Sequence, residues 1–263
     1  MLNIVVPMAG AGSRFVNAGY TDPKPLIPVL GVPMIQLVID NLRPRTEHRF
    51  IFICQKPHLD SFGLEPKLKA WAGPNTLVTT VPGVTEGAAC TVLTVKDYID
   101  NDSQLMIANC DQYVDIDIND YLADIERRDL DGLIMTLAST DPKWSYAAIN
   151  EASNVTQVVE KKVISPHATV GIYNYRRGSD FVAAATTMIS QNLRVNGEFY
   201  VAPAYDMMIQ AGKKIGIYGI GAENDGMYGI GTPQDFETFL TLPAAHRAVA
   251  FVDSAVQKNS VAI

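Results

Sequence analysis

Gly10, Gly12, Ser13 and Arg14 follow closely on the apolar run Leu2–Val6, and Lys24 stands ten residues further on between Pro23 and Pro25. A glycine-rich loop leaving a strand brings backbone N–H groups close to an anion with no side chain in the way. Arg14 adds a planar fork that fits phosphate oxygens, and Lys24 adds a compact point charge on a backbone restricted by its flanking prolines. Neither common nucleotide fingerprint fits the spacing: Phe15 occupies the third glycine position of GxGxxG, and no GxxxxGK[ST] occurs. The loop reads as a phosphate cradle with its own arginine and a remote lysine. The alternative is a surface loop whose charges are merely solvated.

Charge and composition exclude several other classes. With 28 acids against 21 bases the net charge is -7, the wrong sign for a non-specific nucleic-acid binder, which needs a basic field to displace counterions. Cys54, Cys90 and Cys110 are odd in number and far apart, and no CxxC pair accompanies the histidines, so neither a disulfide framework nor a structural zinc is expected. No apolar run approaches the roughly 18 residues that span a bilayer, and the first residues carry no basic leader. The chain reads as cytoplasmic, with no membrane or nucleic-acid partner.

Other charged groups have plain explanations. Asp115, Asp117 and Asn119 with Glu126 imitate a calcium loop, but Asp120 stands where such a loop needs glycine. An acid-rich helix start accounts for them, with Asp115 or Asp117 left as a minor candidate beside a metal. The doublets Arg127-Arg128, Arg176-Arg177 and Lys213-Lys214 read as solvated faces, although Arg176 follows a strand closely enough to be a candidate ligand contact.

These groups need a frame. Leu2–Val6, Phe50–Cys54, Thr76–Val81 and Gln104–Ala108 read as strands, and 33–43, 57–71, 87–98 and 118–128 as helices. Strands that are apolar throughout and separated by helices imply an α/β architecture with a parallel sheet covered on both faces. In the second half Leu133–Leu137, Ala147–Asn150, Val155–Val159, Ala168–Tyr175 and Lys214–Tyr218 read as strands, with helices near 179–192 and 203–211 and one or two over 233–257. No linker composition divides the chain, so 1–263 is expected to be one domain in two halves, 1–130 and 131–263.

Gly10, Gly12, Arg14, Pro23 and Lys24 together resemble the opening of the nucleoside-triphosphate transferase family, the sugar-1-phosphate nucleotidyltransferases and their small cytidylyltransferase relatives. Later motifs follow in the family's order. The stretch 83–89, with Glu86 and Gly87, is similar to its base-recognition turn, and Asn109-Cys110-Asp111 to the strand end that carries a metal-binding aspartate. Glu160-Lys161 resembles the pair whose lysine meets the acceptor phosphate, Asn196–Tyr200 the acceptor-binding segment, and Gly229–Pro233 the closing motif. One position departs: Gly229 stands where the family carries a second metal-binding aspartate. Either Asp225, four residues earlier, takes its place, or Asp111 holds the metal with triphosphate and water alone.

The resemblance implies a Rossmann-like, mixed and mostly parallel sheet with helices on both faces, of the nucleotide-diphospho-sugar transferase type. It implies a magnesium-dependent enzyme, here also expected to form a homodimer, that moves NMP from an NTP to a sugar 1-phosphate or another small phosphorylated acceptor and releases pyrophosphate. It assigns nucleotide binding to Ala9, Gly10, Ala11, Gly12, Ser13, Glu86 and Gly87, catalysis to Arg14, Lys24 and Lys161, acceptor binding to Lys161 and Glu198, and Mg2+ to Asp111 and Asp225. A pyrimidine is favoured, CTP slightly so, within nucleotide-sugar and cell-surface polysaccharide biosynthesis. Such chemistry joins two anions, so it needs cations and alignment rather than a protonatable base. A nucleotide-sugar-dependent glycosyltransferase leaves Arg14 and Lys24 unexplained, whereas Gly229 keeps open a non-catalytic nucleotide-binding module.

Overall fold

The computed structural model describes residues 1–10 and 12–260, with side chains through Val252. Its strands are β1 (Leu2–Met8), β2 (Pro28–Val29), β3 (Val32–Pro33), β4 (His48–Gln55), β5 (Leu77–Val81), β6 (Gln104–Ala108), β7 (Gln112–Val114), β8 (Gly132–Ala138), β9 (Tyr146–Ile149), β10 (Val155–Val159), β11 (His167–Tyr175), β12 (Ile215–Glu223) and β13 (Gly226–Gly229). The main sheet runs β5-β4-β1-β6-β11-β8-β12-β13-β7, with β9 and β10 attached beside β11, and β2 and β3 form a separate hairpin. β5, β4, β1 and β6 are parallel, β11 is antiparallel to both β6 and β8, and β8, β12 and β13 are again parallel. Only β11 and β7 oppose the common direction of that path, so the sheet is mixed and mostly parallel.

Helices cover both faces because the central strands β1, β4, β6, β8 and β11 are apolar on both sides. Met34–Leu42 shows how: seven of its nine residues are buried, and it packs with Leu64–Ala72 and Ile118–Arg127 over Ile4, Val6, Phe50 and Phe52. Each such aliphatic side chain contributes roughly 1.5–3 kcal/mol when withdrawn from water. On the other face Ala88–Leu93, Gly178–Ser190 and Ala204–Gln210 cover Val5, Ile51, Ile107 and Tyr175. A third cluster, from Phe15 and Met34 through Tyr113 to Phe239 and Ala245, seats the C-terminal helices.

The structure revises some boundaries. The expected 57–71 helix is broken at Gly63, whose φ of 56° interrupts it into Lys56–Phe62 and Leu64–Ala72. The 87–98 stretch is likewise two short helices, Ala88–Leu93 and Lys96–Ile99, and 233–257 is resolved into Pro233–Leu240 and Pro243–Ser260. β7 and β13 had no counterpart in the sequence reading, being three and four residues long. No helix among the described residues is long and apolar enough to cross a membrane.

From β1 the chain moves outward through β4 to β5 and then returns to β6 on β1's other side. That reversal opens a crevice at the carboxyl ends of β1 and β6, the usual ligand position in open α/β sheets. Because β11 runs the other way, its first residues reach the same edge.

Candidate active site

The loop after β1 and the loop after β6 face each other across this crevice. Gln55, at the end of β4, donates from Nε2 to Ala9 O at 2.6 Å and ties the base of the first loop. Beyond Gly10 and Gly12 comes the short helix Ser13–Asn17, anchored by buried Phe15, which makes edge contacts with Tyr20 and Phe236. The first-turn N–H groups of such a helix have no intrahelical partner. Arg14 is exposed, makes no ion pair among the described residues, and borders both a 320 Å³ cavity under the loop and a 420 Å³ cleft beyond it. Ala11 lies outside the described residues.

Lys24 starts a single 3-10 turn, Lys24–Leu26, and points back across the crevice, where Nζ forms an ion pair with Asp111 Oδ2. Burial pulls the Lys24 pKa down, but the adjacent Asp111 carboxylate outweighs it and the net shift is upward. The ammonium therefore stays charged within a site of low polarity. Cys110 beside it is driven to about 11, chiefly by burial, and remains a thiol.

Asp111 lies against Gly231, where any Cβ would collide with its carboxylate, and its carbonyl accepts from Ile230 N–H at 2.9 Å. Two residues back, at the end of β13, a Cβ on Gly229 would lie 3.9 Å from Asp235 Oδ2. Asp235 thus brings its carboxylate to the space that the side chain missing from Gly229 leaves. Thr232, which caps the helix Pro233–Leu240, holds it there by a 2.7 Å bond from Oγ1 to Asp235 Oδ2. Asp225 is not brought to this place. Gly229 pairs with Gln112, whereas Asp225 sits in the tight turn before β13, bonded through its backbone to Ala222. Four residues of extended chain, about 13 Å, separate it from Gly229. Among the described residues no three His, Cys, Asp or Glu side chains converge on one point. Asp111, against Gly231, and Asp235, near Gly229, are the carboxylates beside this segment, and magnesium that keeps waters and phosphate oxygens as its other ligands needs only one or two.

The 420 Å³ cleft is floored by Lys143, Trp144 and Ser145 before β9, by β11 and by the loop after β10. Glu160 is 8% exposed and accepts from Ser145 Oγ, while Thr169 and Tyr173 hydroxyls pair at 3.0 Å beside it. Burial pushes the Glu160 carboxyl up, opposed by the Ser145 bond and Lys161. Lys161 adopts φ 55°, uncommon for a side-chain-bearing residue. It is held by its N–H to Trp144 O at 3.1 Å and by Nζ to Tyr200 Oη at 2.6 Å. That Tyr200 bond, ahead of opposing desolvation, raises the Lys161 pKa. Glu198 is exposed two residues before Tyr200, and Lys162 is exposed beside Lys161. Glu86 and Gly87 start the helix Ala88–Leu93, whose Ala88 borders the cleft; the Glu86 side chain points outward to Arg194.

Other candidates separate from the site. Arg176 lies at the opposite edge of the sheet, bonded to Leu130 O and Ile125 O, because antiparallel β11 ends beside the start of β6. Arg127 and Arg128 clamp buried Asp124 rather than a merely solvated face. Asp117 caps the helix Ile118–Arg127, and Asp115 pairs with Arg247, so neither is left beside Asp111. Asp235, Lys143 and the hydroxyl floor were not among the site groups expected from the sequence, whereas Tyr200 lies within the expected acceptor-binding segment. The Thr232-x-x-Asp235 spacing was legible, but only as a helix start.

Comparison with known proteins agrees with this geometry. The nucleotidyl transferase family model matches residues 4–197. The bifunctional protein GlmU of Methanocaldococcus jannaschii is 23% identical over 239 residues, covering 89% of this chain and 52% of that protein. The chain thus spans about half the length of the curated relatives it matches. Among solved structures, the nucleoside-diphosphate-sugar pyrophosphorylase of Vibrio cholerae RC9 aligns with a TM-score of 0.75 at 25% identity, over 91% of this chain and all of that one. The inositol-1-phosphate CTP transferase of T. maritima shares the fold, with a TM-score of 0.70 at 14% identity over 95% of each chain. The phosphate-type loop at a sheet reversal, set opposite an aspartate that a lysine already pairs with, is thus the local expression of a wider kinship: the chain belongs to the nucleotidyl transferase family.

Proposed function

We propose that this chain transfers a nucleoside monophosphate from an NTP to a sugar 1-phosphate and releases pyrophosphate, with magnesium held by Asp111 and Asp235. The observation that carries the reading is the placement of Arg14 between two cavities, with Lys24 lining the one under the loop and paired there with Asp111 across the crevice. In-line attack of one phosphate on another needs both anions held in alignment and their charge offset by cations.

The roles follow from position. The loop Ala9–Ser13 and the turn carrying Glu86 and Gly87 take the nucleotide, and Arg14 reaches its outer phosphates. Lys24 balances charge that develops at the α-phosphorus. Lys161, exposed at the cleft wall, receives the acceptor phosphate with Glu198 nearby. Glu160, Ser145, Thr169 and Tyr173 offer a floor of hydroxyls and one carboxylate, which favours a polyhydroxylated acceptor over an alkylammonium one. Magnesium, when bound, supplies Lewis-acid neutralisation of phosphate charge. A pyrimidine triphosphate is the proposed donor, CTP first, in keeping with the solved CTP transferase that shares this fold.

The test is pyrophosphate release with magnesium, screening four NTPs against phosphorylated sugars and alcohols. Release with one pyrimidine triphosphate and one sugar 1-phosphate is expected. Release of nucleoside diphosphate from a nucleotide sugar, without pyrophosphate, contradicts it.

A further inference from the structure

The turn Thr85–Ala89 and the segment 194–200 are stitched together by their backbones. Phe199 N–H donates to Glu86 O at 2.8 Å, and Ala89 N–H donates to Phe199 O at 3.0 Å. Gly87 makes this possible: its φ is 131°, and a Cβ there would lie 2.6 Å from the Phe199 nitrogen. Arg194 closes the stitch from outside. Its guanidinium lies 4.2 Å from the centroid of the Phe199 ring, forms an ion pair with Glu86, and donates from NH1 to Gly197 O at 3.1 Å. The Phe199 ring is buried, so the joint is packed as well as hydrogen-bonded. The next residue, Tyr200, holds the Lys161 ammonium.

An unbroken path therefore runs from Glu86 through Phe199 and Tyr200 to Lys161. Two short polar links and a shared buried ring make its ends a single mechanical unit, whereas Lys161 on its own stands in a left-handed conformation that its surroundings must impose. Arg194 does not border the cleft and touches neither Lys24 nor Asp111.

We propose that Arg194 is a positioning residue that couples occupancy of the Thr85–Ala89 turn to the placement of Lys161. The inference rests on the proposed reading of that turn as the nucleotide contact. A nucleotide that fixes the turn fixes Phe199, and through Tyr200 sets the lysine that meets the acceptor phosphate. Coupling of this kind is reciprocal, so a bound acceptor tightens the nucleotide by the same factor.

Calorimetry first shows which of CTP, UTP, TTP and ATP binds in the presence of magnesium. Hydrogen exchange of the whole chain is then read with and without that triphosphate in the wild type, Arg194→Ala and Arg194→Lys. The triphosphate is expected to slow exchange at 85–89 in all three proteins, and at 194–200 by about tenfold in the wild type. In Arg194→Ala the effect at 194–200 falls at least about fivefold while triphosphate affinity changes little, and Arg194→Lys, which keeps the Glu86 ion pair, restores part of it. In turnover, Arg194→Ala raises the acceptor KM about fivefold with kcat nearly unchanged. Equal protection of 194–200 in wild type and Arg194→Ala, or wild-type protection confined to 85–89, overturns the coupling and leaves nucleotide binding standing. Absence of binding by every triphosphate overturns the nucleotide reading, and the coupling with it.

Discussion

The ammonium of Lys24 rests on Oδ2 of Asp111, a residue 87 positions later in the chain, and the pair bridges the loop after β1 to the loop after β6. Each group holds the other where phosphate chemistry needs it before any ligand arrives. Lys24→Met leaves Asp111 unbalanced in a half-buried site, at a cost of about 1–2 kcal/mol in stability. Its effect on turnover is larger, a loss of about 10²–10³ in kcat, because charge stabilisation at the reacting phosphorus disappears. The sign with pH is fixed by the raised lysine: stabilisation is complete below 10.5 and is lost as pH rises through the higher folded value. Denaturation curves of wild type and variant measured from pH 7 to 11 should therefore converge only at the alkaline end.

Asp235, and not Asp225, is the predicted partner of Asp111 in holding magnesium. Asp235→Asn preserves the acceptor for the Thr232 hydroxyl but removes the charge, and should raise the magnesium concentration for half-maximal activity about tenfold or more. Asp225→Ala should change it less than twofold. Magnesium titrations of both variants decide the matter, and the reverse order would return the assignment to Asp225.

Gly231→Ala places a methyl group where the Asp111 carboxylate lies. The expected outcome is a folded protein with about 1–3 kcal/mol less stability and a displaced Asp111. Thermal denaturation reads the first effect. Loss of turnover with nucleotide affinity largely kept reads the second.

Glu160 is held at a cost. Its carboxyl pKa is raised by burial, so the native state binds a proton more readily than the unfolded chain. Stability from this group falls as pH rises from the unfolded value of 4.5 through the folded one, and the deficit persists at neutral pH. Glu160→Gln should therefore match or exceed the wild-type Tm at pH 7, and the difference should shrink toward pH 4. The same variant should weaken acceptor binding, seen as a higher acceptor KM, since it removes the charged hydrogen-bond acceptor at the cleft floor.

Strong local patterns made the first half of the fold legible. Gln104–Ala108 is a buried strand with the bounds its apolar run suggests, and Met34–Leu42 is the helix its spacing requires. The minor candidacy of Arg176 as a ligand contact could not be weighed from sequence, because nothing in the run Ala168–Tyr175 reveals that β11 enters antiparallel, which carries its end to the far edge. The choice between Asp225 and Asp235 turns on a similar point. Distance along the sequence made the two comparable neighbours of Gly229, yet extended chain leads away from Gly229 on one side and a tight capped turn folds back on the other. The pairing of β7 with β13 that creates this contrast involves too few residues to show a period.

The central claim is transfer, as distinct from binding or hydrolysis, and following the α-phosphate of the donor tests it most directly. With CTP labelled at that phosphate, magnesium and sugar 1-phosphates, the label should move into a product that retains the sugar, one pyrophosphate appearing for each label transferred. Added pyrophosphate should drive the label back into CTP, and Lys24→Met should slow both directions by the same factor of about 10²–10³. Label that stays in the triphosphate with every acceptor and with the other three NTPs, or that appears only as free nucleotide, would contradict the account.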